Sequence, residues 1–219
     1  MITLNTYGGL IRRLNKVCPK KLKHCIVGIL FGHNEHDLMK NEFLPFLDSF
    51  NLDSQCYTHI FFAGYISEKE KDQYPDNKHV TRGPQNMEWY FSPTAFHNLR
   101  EDFESRTTWK FSGGVQLLFF DAERISSDEV RLCIDKAIII DLLKARDNKY
   151  IPHIEIFLNE IFSESEKLNG GNIKDIQNNA YISELKLLPE ILLKNITPAT
   201  ILNEYKKLNY FTIKDISLN

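Results

Sequence analysis

Two stretches of the chain are apolar at consecutive positions rather than alternate ones: CIVGILF within residues 24–31 and YTHIFFAGYI at 57–66. Such runs read as strands covered on both faces of a sheet. Between them Leu38, Met39, Leu44, Leu47 and Phe50 make an apolar stripe at helical spacing, with Asn34 placed as N-cap and Asp37 at the third helical position. Pro45 falls inside that pattern and is expected to kink or restart the helix. Strand, helix, strand is a right-handed crossover, so the two strands are expected to be parallel neighbours. Ser92-Pro93 supplies an N-cap and a first-turn proline for a helix carrying Phe96, Leu99 and Phe103 on one face. In TTWKFSGGVQLLFFD, Trp109 and Phe111 alternate with polar residues, Ser112-Gly113-Gly114 tolerates positive φ, and 115–120 is apolar, a β-hairpin signal. Ser126 and Glu129 then match a capping box. Val130, Cys133, Ile134, Ala137, Ile138 and Leu142 follow at the spacing of a helix lying on the sheet.

The flanking segments are more polar. In residues 1–23, Leu10, Ile11 and Leu14 predict a short amphipathic helix, and the cluster Arg12, Arg13, Lys16, Lys20, Lys21 and Lys23 reads as a solvated face, with phosphate binding as the sharper alternative. Residues 67–91 are charged and broken at Pro75-Asp76-Asn77 and Arg82-Gly83-Pro84, and read as a long loop. Beyond Asn148 the pattern predicts helices at 151–168, 181–195 and 198–207, and an edge strand in the alternating tail YFTIKDISL. The expected fold is α/β: a central mixed or mostly parallel sheet covered by helices, in the order β-α-β-α-β-β-α, with a helical C-terminal third. Residues 1–148 form the core, and 149–219 form an extension packed on it or making an oligomer interface. That order resembles thioredoxin-like domains in topology alone, because Gly32-His33-Asn34-Glu35 stands where those enzymes carry CxxC. Without a strand at 109–111 the order becomes a doubly wound parallel sheet.

Composition narrows the function classes. A chain of 219 residues, 42% hydrophobic and 26% charged, can bury one sizeable core without staples, and a net charge of -2 gives no bias toward nucleic acid. The four cysteines, Cys18, Cys25, Cys56 and Cys133, include no CxxC pair. They are expected to be reduced, as in a cytoplasmic protein, with Cys25 and Cys133 serving as small buried hydrophobes. No signal-peptide core and no apolar run of roughly 20 residues is present, so neither export nor membrane insertion is expected.

Candidate chemistry gathers at strand ends, where open α/β sheets bind ligands. His33, Glu35, His36 and Asp37 follow the first strand, and Asp121 follows LLFF; together they are the candidate catalytic set, as general acid and base near neutral pH. Two histidines and one carboxylate also match a metal triad in kind, but capping and surface roles account for these residues more simply, and no metal or cofactor is expected. Asn34, Tyr65, Arg82, Trp89 and Arg124 are the candidate ligand-binding residues, Arg82 and Trp89 for an anion or a planar ring. No GxGxxG, Walker A, GxSxG or HExxH pattern occurs. Two readings follow: an interaction or ligand-sensing module, with a protein partner or self-association and room for a small-molecule ligand; or a small hydrolase or transferase acting through the 33–37 loop and Asp121 on a polar or phosphorylated substrate.

Overall fold

Residues 25–31 are buried without interruption and form the strand on which the sheet is built. The computed structural model describes residues 2–46, 57–82, 88–147, 151, 153–167 and 211–216. In chain order its elements are β1 (Ile2–Leu4), α1 (Tyr7–Val17), β2 (His24–Phe31), β3 (Thr58–Ala63), β4 (Tyr65–Ser67), β5 (Lys78–Arg82), β6 (Glu88–Phe91), α2 (Pro93–Arg106), β7 (Gln116–Arg124), β8 (Val130–Asp141), α3 (Leu142–Asp147), α4 (Ile154–Lys167) and β9 (Phe211–Asp215). The fold is α/β with a mixed sheet and, among the described residues, no barrel. Six strands run in the order β1-β3-β2-β7-β8-β9, and β4-β6-β5 form a second, antiparallel sheet. β2 lies parallel to β3, as expected from the crossover, and antiparallel to β7.

Side chains alternate along β2, so Val27, Ile29 and Phe31 share the face on which α1 and α2 pack. Phe31 lies 5.9 Å from Phe103 and 6.0 Å from Phe96, both on α2. The opposite face meets the 39–46 turn and α4: Phe62 lies 6.1 Å from Phe43, and Thr58 Oγ1 donates to Ser165 Oγ at 2.6 Å. Leu10 and Leu14 of α1 are fully buried, which accounts for the amphipathic stripe. Its basic face is solvated in part, and Arg13 pairs with Glu70 at 2.7 Å. Among the described residues, no helix is long and apolar enough to cross a membrane.

Several expectations are corrected. Over 39–46 the expected helix is replaced by a π turn, Met39–Phe43, and a 3-10 turn, Leu44–Phe46, while Leu47 and Phe50 of the expected stripe lie outside the described residues. Pro45 has no N–H to continue an α-helical ladder, and Leu38, not Asn34, precedes the π turn without a side-chain cap. The expected hairpin of 109–111 with 115–120 does not form; the hairpin present uses other strands. Residues 109–111 form no strand; Trp109 is buried against Phe31 at 4.7 Å. β7 pairs instead with β8, and Ser126 and Glu129 close the turn between them, Ile125 N donating to Glu129 O at 2.9 Å.

Residues 130–141 are thus strand, not helix. Between the pairs Phe119↔Ile138 and Asp121↔Cys133, β7 places one residue and β8 four, a bulge that breaks the period-two alternation. The broken alternation imitates helical spacing, while the β-branched run at 138–140 favours the strand. The 67–91 segment is not a simple loop: it supplies β5, β6 and a 3-10 turn, Glu68–Gln73. β1 was not foreseen either. α4 and β9 match the expected helix and edge strand, whereas the helices expected at 181–195 and 198–207 lie outside the described residues.

The cysteines also differ from expectation. Cys18, the C-cap of α1, and Cys25 of β2 are joined as a disulfide, with Cα atoms 6.6 Å apart; Cys133 is a free thiol.

Gly64 marks the step from the six-stranded sheet to the three-stranded one. Its φ is +78°, and a Cβ there would lie 2.5 Å from Phe96 Cβ and 2.9 Å from Phe96 Cα. Gly113, at φ +89°, has open space around it. Gly64→Ala is therefore expected to lower stability by about 3 kcal/mol or more, combining strain with a backbone clash. Gly113→Ala carries only the left-handed penalty of about 1 kcal/mol. Urea unfolding midpoints of the two variants check this, and equal losses would contradict the packing described at Gly64.

Candidate functional site

The chain leaves β2 at Gly32, and His33 takes up the position that continues the Phe31 face. Its ring lies 4.7 Å from Phe96 and 5.1 Å from Phe91. What brings α2 to this strand end is its cap. Ser92 Oγ accepts from Ala95 N at 3.0 Å and donates to Asp76 Oδ1 at 2.7 Å, and Asp76 Oδ2 accepts from Thr94 N at 2.8 Å. The doubly anchored first turn sets His97 and Arg100, three residues apart on one side of α2, beside His33. Together with Phe96, Phe111, Pro93 and Thr94 they line a cleft of about 400 Å³.

The polar groups of this cleft are ordered by one another. Arg100 Nη2 donates to His97 Nδ1 at 2.9 Å, and His97 Nε2 lies 2.8 Å from Glu101 Oε1. An Nε2–H imidazole satisfies both contacts, which assigns the tautomer from the network. Phe111 N donates to Glu104 Oε1 at 3.0 Å; the same oxygen stands 3.8 Å from Arg100 Nε, too far for a hydrogen bond. Arg100 Nε is buried without a hydrogen-bond partner. The cleft therefore offers an aromatic floor and one guanidinium whose hydrogen-bonding capacity is incompletely used.

Partial desolvation against Phe91 and Phe96 lowers the pKa of His33, an otherwise exposed residue, from its ordinary value; Glu35 opposes the shift, and His36 and Arg100 act in its direction. With the folded value depressed, the unfolded chain binds the extra proton first. The associated stability is complete above the ordinary histidine value and is lost as pH falls below it. His33 is neutral near pH 7.

The other expected site residues are dispersed. Glu35 is exposed and 3.6 Å from Lys78, His36 is half-buried, its backbone N donating to His33 O at 3.0 Å, Asn34 is half-buried, and Asp37 is exposed. Asp121 is not at this rim. It pairs with Ile26 in the antiparallel register, five residues before Phe31, a distance of roughly 17 Å along a strand. It also shares Ile26's face, opposite to that of Phe31. The structure thus separates His36 from Asp121 and forms no common pocket for them.

Tyr65 is fully buried, its ring 5.2 Å from Phe91, and burial raises its phenol pKa strongly. Trp89 is buried in β6, and Arg82 Nε donates to Glu88 at 2.8 Å. Arg124 Nη2 donates to Cys18 O at 2.5 Å and Nη1 to Ser127 O at 3.0 Å, tying the β7–β8 turn to the end of α1. Of the predicted ligand-binding and catalytic residues, His33 alone lines the cleft. His97 and Arg100 were missed; their signal was the Ser92-Pro93 cap, which starts a helix whose first two turns can flank a strand end.

Among the described residues, no group able to hold a metal includes His33, His36 or Asp121. No known protein family matches the chain, and comparison with curated proteins and with solved structures finds no relative.

Two sites separated in this way are expected to be energetically independent. In double-mutant cycles by urea unfolding, His33→Ala and Asp121→Ala should add to within about 0.5 kcal/mol, whereas His97→Ala and Arg100→Ala should couple by more than that. Coupling between His33 and Asp121 of about 1 kcal/mol or more would contradict the placement.

Proposed function

We propose that this chain is a ligand-sensing module that takes a small ring-bearing anion in the cleft between the end of β2 and the start of α2. The observation that carries the reading is the Arg100 guanidinium on the cleft wall beside Phe96 and Phe111, paired with Glu104 only as an ion pair at 3.8 Å and with no hydrogen bond at Nε. An aromatic floor accepts a planar ring, and a guanidinium with unused donors accepts a carboxylate or phosphate on it. A thioredoxin-like order is the finer fold reading. In its support, β2, the 39–46 turn, β3, α2, the β7–β8 hairpin and α3 follow in that sequence, with β2 parallel to β3 and antiparallel to β7. Burial of Ile154, Leu158 and Ile161 supports a C-terminal extension packed on its own core rather than an oligomer seam at α4.

The enzymatic alternative, a hydrolase or transferase, keeps one supporting observation: His33 is a neutral imidazole on the cleft wall, the form required of a general base. Asp121 lies too far away to orient it, so the binding reading leads.

Benzoate and phenyl phosphate, with benzyl alcohol as the uncharged control, test the proposal by thermal shift and calorimetry. The two anions should stabilise the chain, by about 2.7 kcal/mol at a hundred times the dissociation constant, and Arg100→Gln should weaken them roughly tenfold. An anion bound beside His33 raises that histidine's pKa above its free-protein value. Affinity for benzoate, which stays ionised over this range, should therefore rise as pH falls from about 7 to about 5, and the rise should shrink in His33→Gln, leaving only what His97 contributes. No shift with either anion, or equal shifts with benzyl alcohol, overturns the reading.

A further inference from the structure

At the opposite end of β2, three soft or borderline donors meet in the core. Cys18 ends α1, Cys25 is the second residue of β2, and His59 is the second residue of β3. His59 pairs in register with Val27, two residues from Cys25, so the two side chains lie on the same face of the sheet. That face is the one α1 covers, which brings Cys18 down onto them. The two sulfurs and a ring nitrogen of His59 all lie within 4.8 Å of one another, and the residues are only 5%, 2% and 6% exposed.

A structural disulfide would account for the cysteines and leave the histidine unexplained. His59 Nε2 is buried with no hydrogen-bond partner, a defect that folded chains seldom keep without use. A buried imidazole beside two sulfurs is the composition of a soft-metal site. We propose that the Cys18–Cys25 pair, when reduced, forms with His59 a buried site for a thiophilic d10 cation, Zn²⁺ or Cu⁺.

The chemistry balances without a further co-reactant once the pair is reduced. A phosphine and water convert the disulfide to two thiols, the phosphine leaving as its oxide. Binding then forms two metal–sulfur bonds and one metal–nitrogen bond, and releases the two thiol protons to solvent. With Zn²⁺ the two thiolates leave a neutral centre, which suits an apolar surrounding; Cu⁺ suits three ligands in a plane. The site is separate from the His33 cleft and does not depend on the function proposed for it.

The test uses the full chain, reduced with excess phosphine and freed of it without air. Zn²⁺ and Cu⁺ are added in separate arms, and bound metal is counted by native mass spectrometry after gel filtration. The expected result is one ion per chain in at least one arm, retained by Cys133→Ser, weakened at least about tenfold by His59→Gln, about 1.4 kcal/mol, and lost in Cys25→Ser. Co²⁺ in place of Zn²⁺ should show a sulfur-to-metal charge-transfer band in the wild type. Circular dichroism checks the fold of each variant, and His59→Gln decides if Cys25→Ser does not fold. The proposal is overturned if neither cation is retained, if His59→Gln binds as tightly as wild type, if the disulfide of the folded chain resists excess phosphine, or if the reduced chain unfolds and neither cation refolds it.

Discussion

A strand buried on both faces and along both edges has no water to satisfy its backbone, so the N–H and C=O groups of β2 must find protein partners, in β3, in β7 or, for Ile26 N, in Tyr57 O just before β3. That requirement governs the rest of the molecule. It fixes β2 between a parallel and an antiparallel neighbour, in continuous register with both. Gly28 shows how tightly: a Cβ there would lie 3.0 Å from the Phe119 ring and 3.3 Å from Ile60 Cγ1, so the two neighbours close over the middle of the strand. With the register set, the two ends of β2 become two separate places, one holding His33 and the other Cys25 with His59.

How much of this was legible depended on whether a pattern had one physical cause. The 24–31 run could only be an interior strand, and the Ser92-Pro93 cap with Phe96, Leu99 and Phe103 could only be a helix with one buried face. Residues 130–141 were misread because two causes give the same spacing. A helix repeats its apolar positions every three or four residues, and a strand interrupted by a bulge does so by accident. The β-branched run at 138–140 was the better evidence. Ser126 and Glu129 were misread for a related reason: the polar residues that cap a helix also close a hairpin turn.

The site was half legible. His33 follows the central strand, and rules for strand ends find it. Arg100 and His97 belong to a helix some sixty residues later in the chain, and nothing in their spacing announces what they face. Their placement depends on Asp76, which accepts from Ser92 and Thr94 and pins the first turn of α2. A carboxylate that caps a helix sixteen residues or more away is a tertiary contact, invisible to periodicity. Cys18 and Cys25 were likewise treated one at a time, as small hydrophobes, because their proximity arises from α1 folding back onto β2.

Asp121 carries the most general step. In an all-parallel sheet, residues that follow the strands share one rim, and on that premise Asp121 belongs with His33. β7 runs the other way, so the residues that follow it travel to the far end, beside the start of β2. The rim at His33 is completed instead by what precedes β7: Phe111 in the approach to the strand, and α2 before that. In a mixed sheet, the residues that meet at one rim follow the parallel strands and precede the antiparallel ones. Strand direction thus decides which side chains can share a site before any property of those side chains matters.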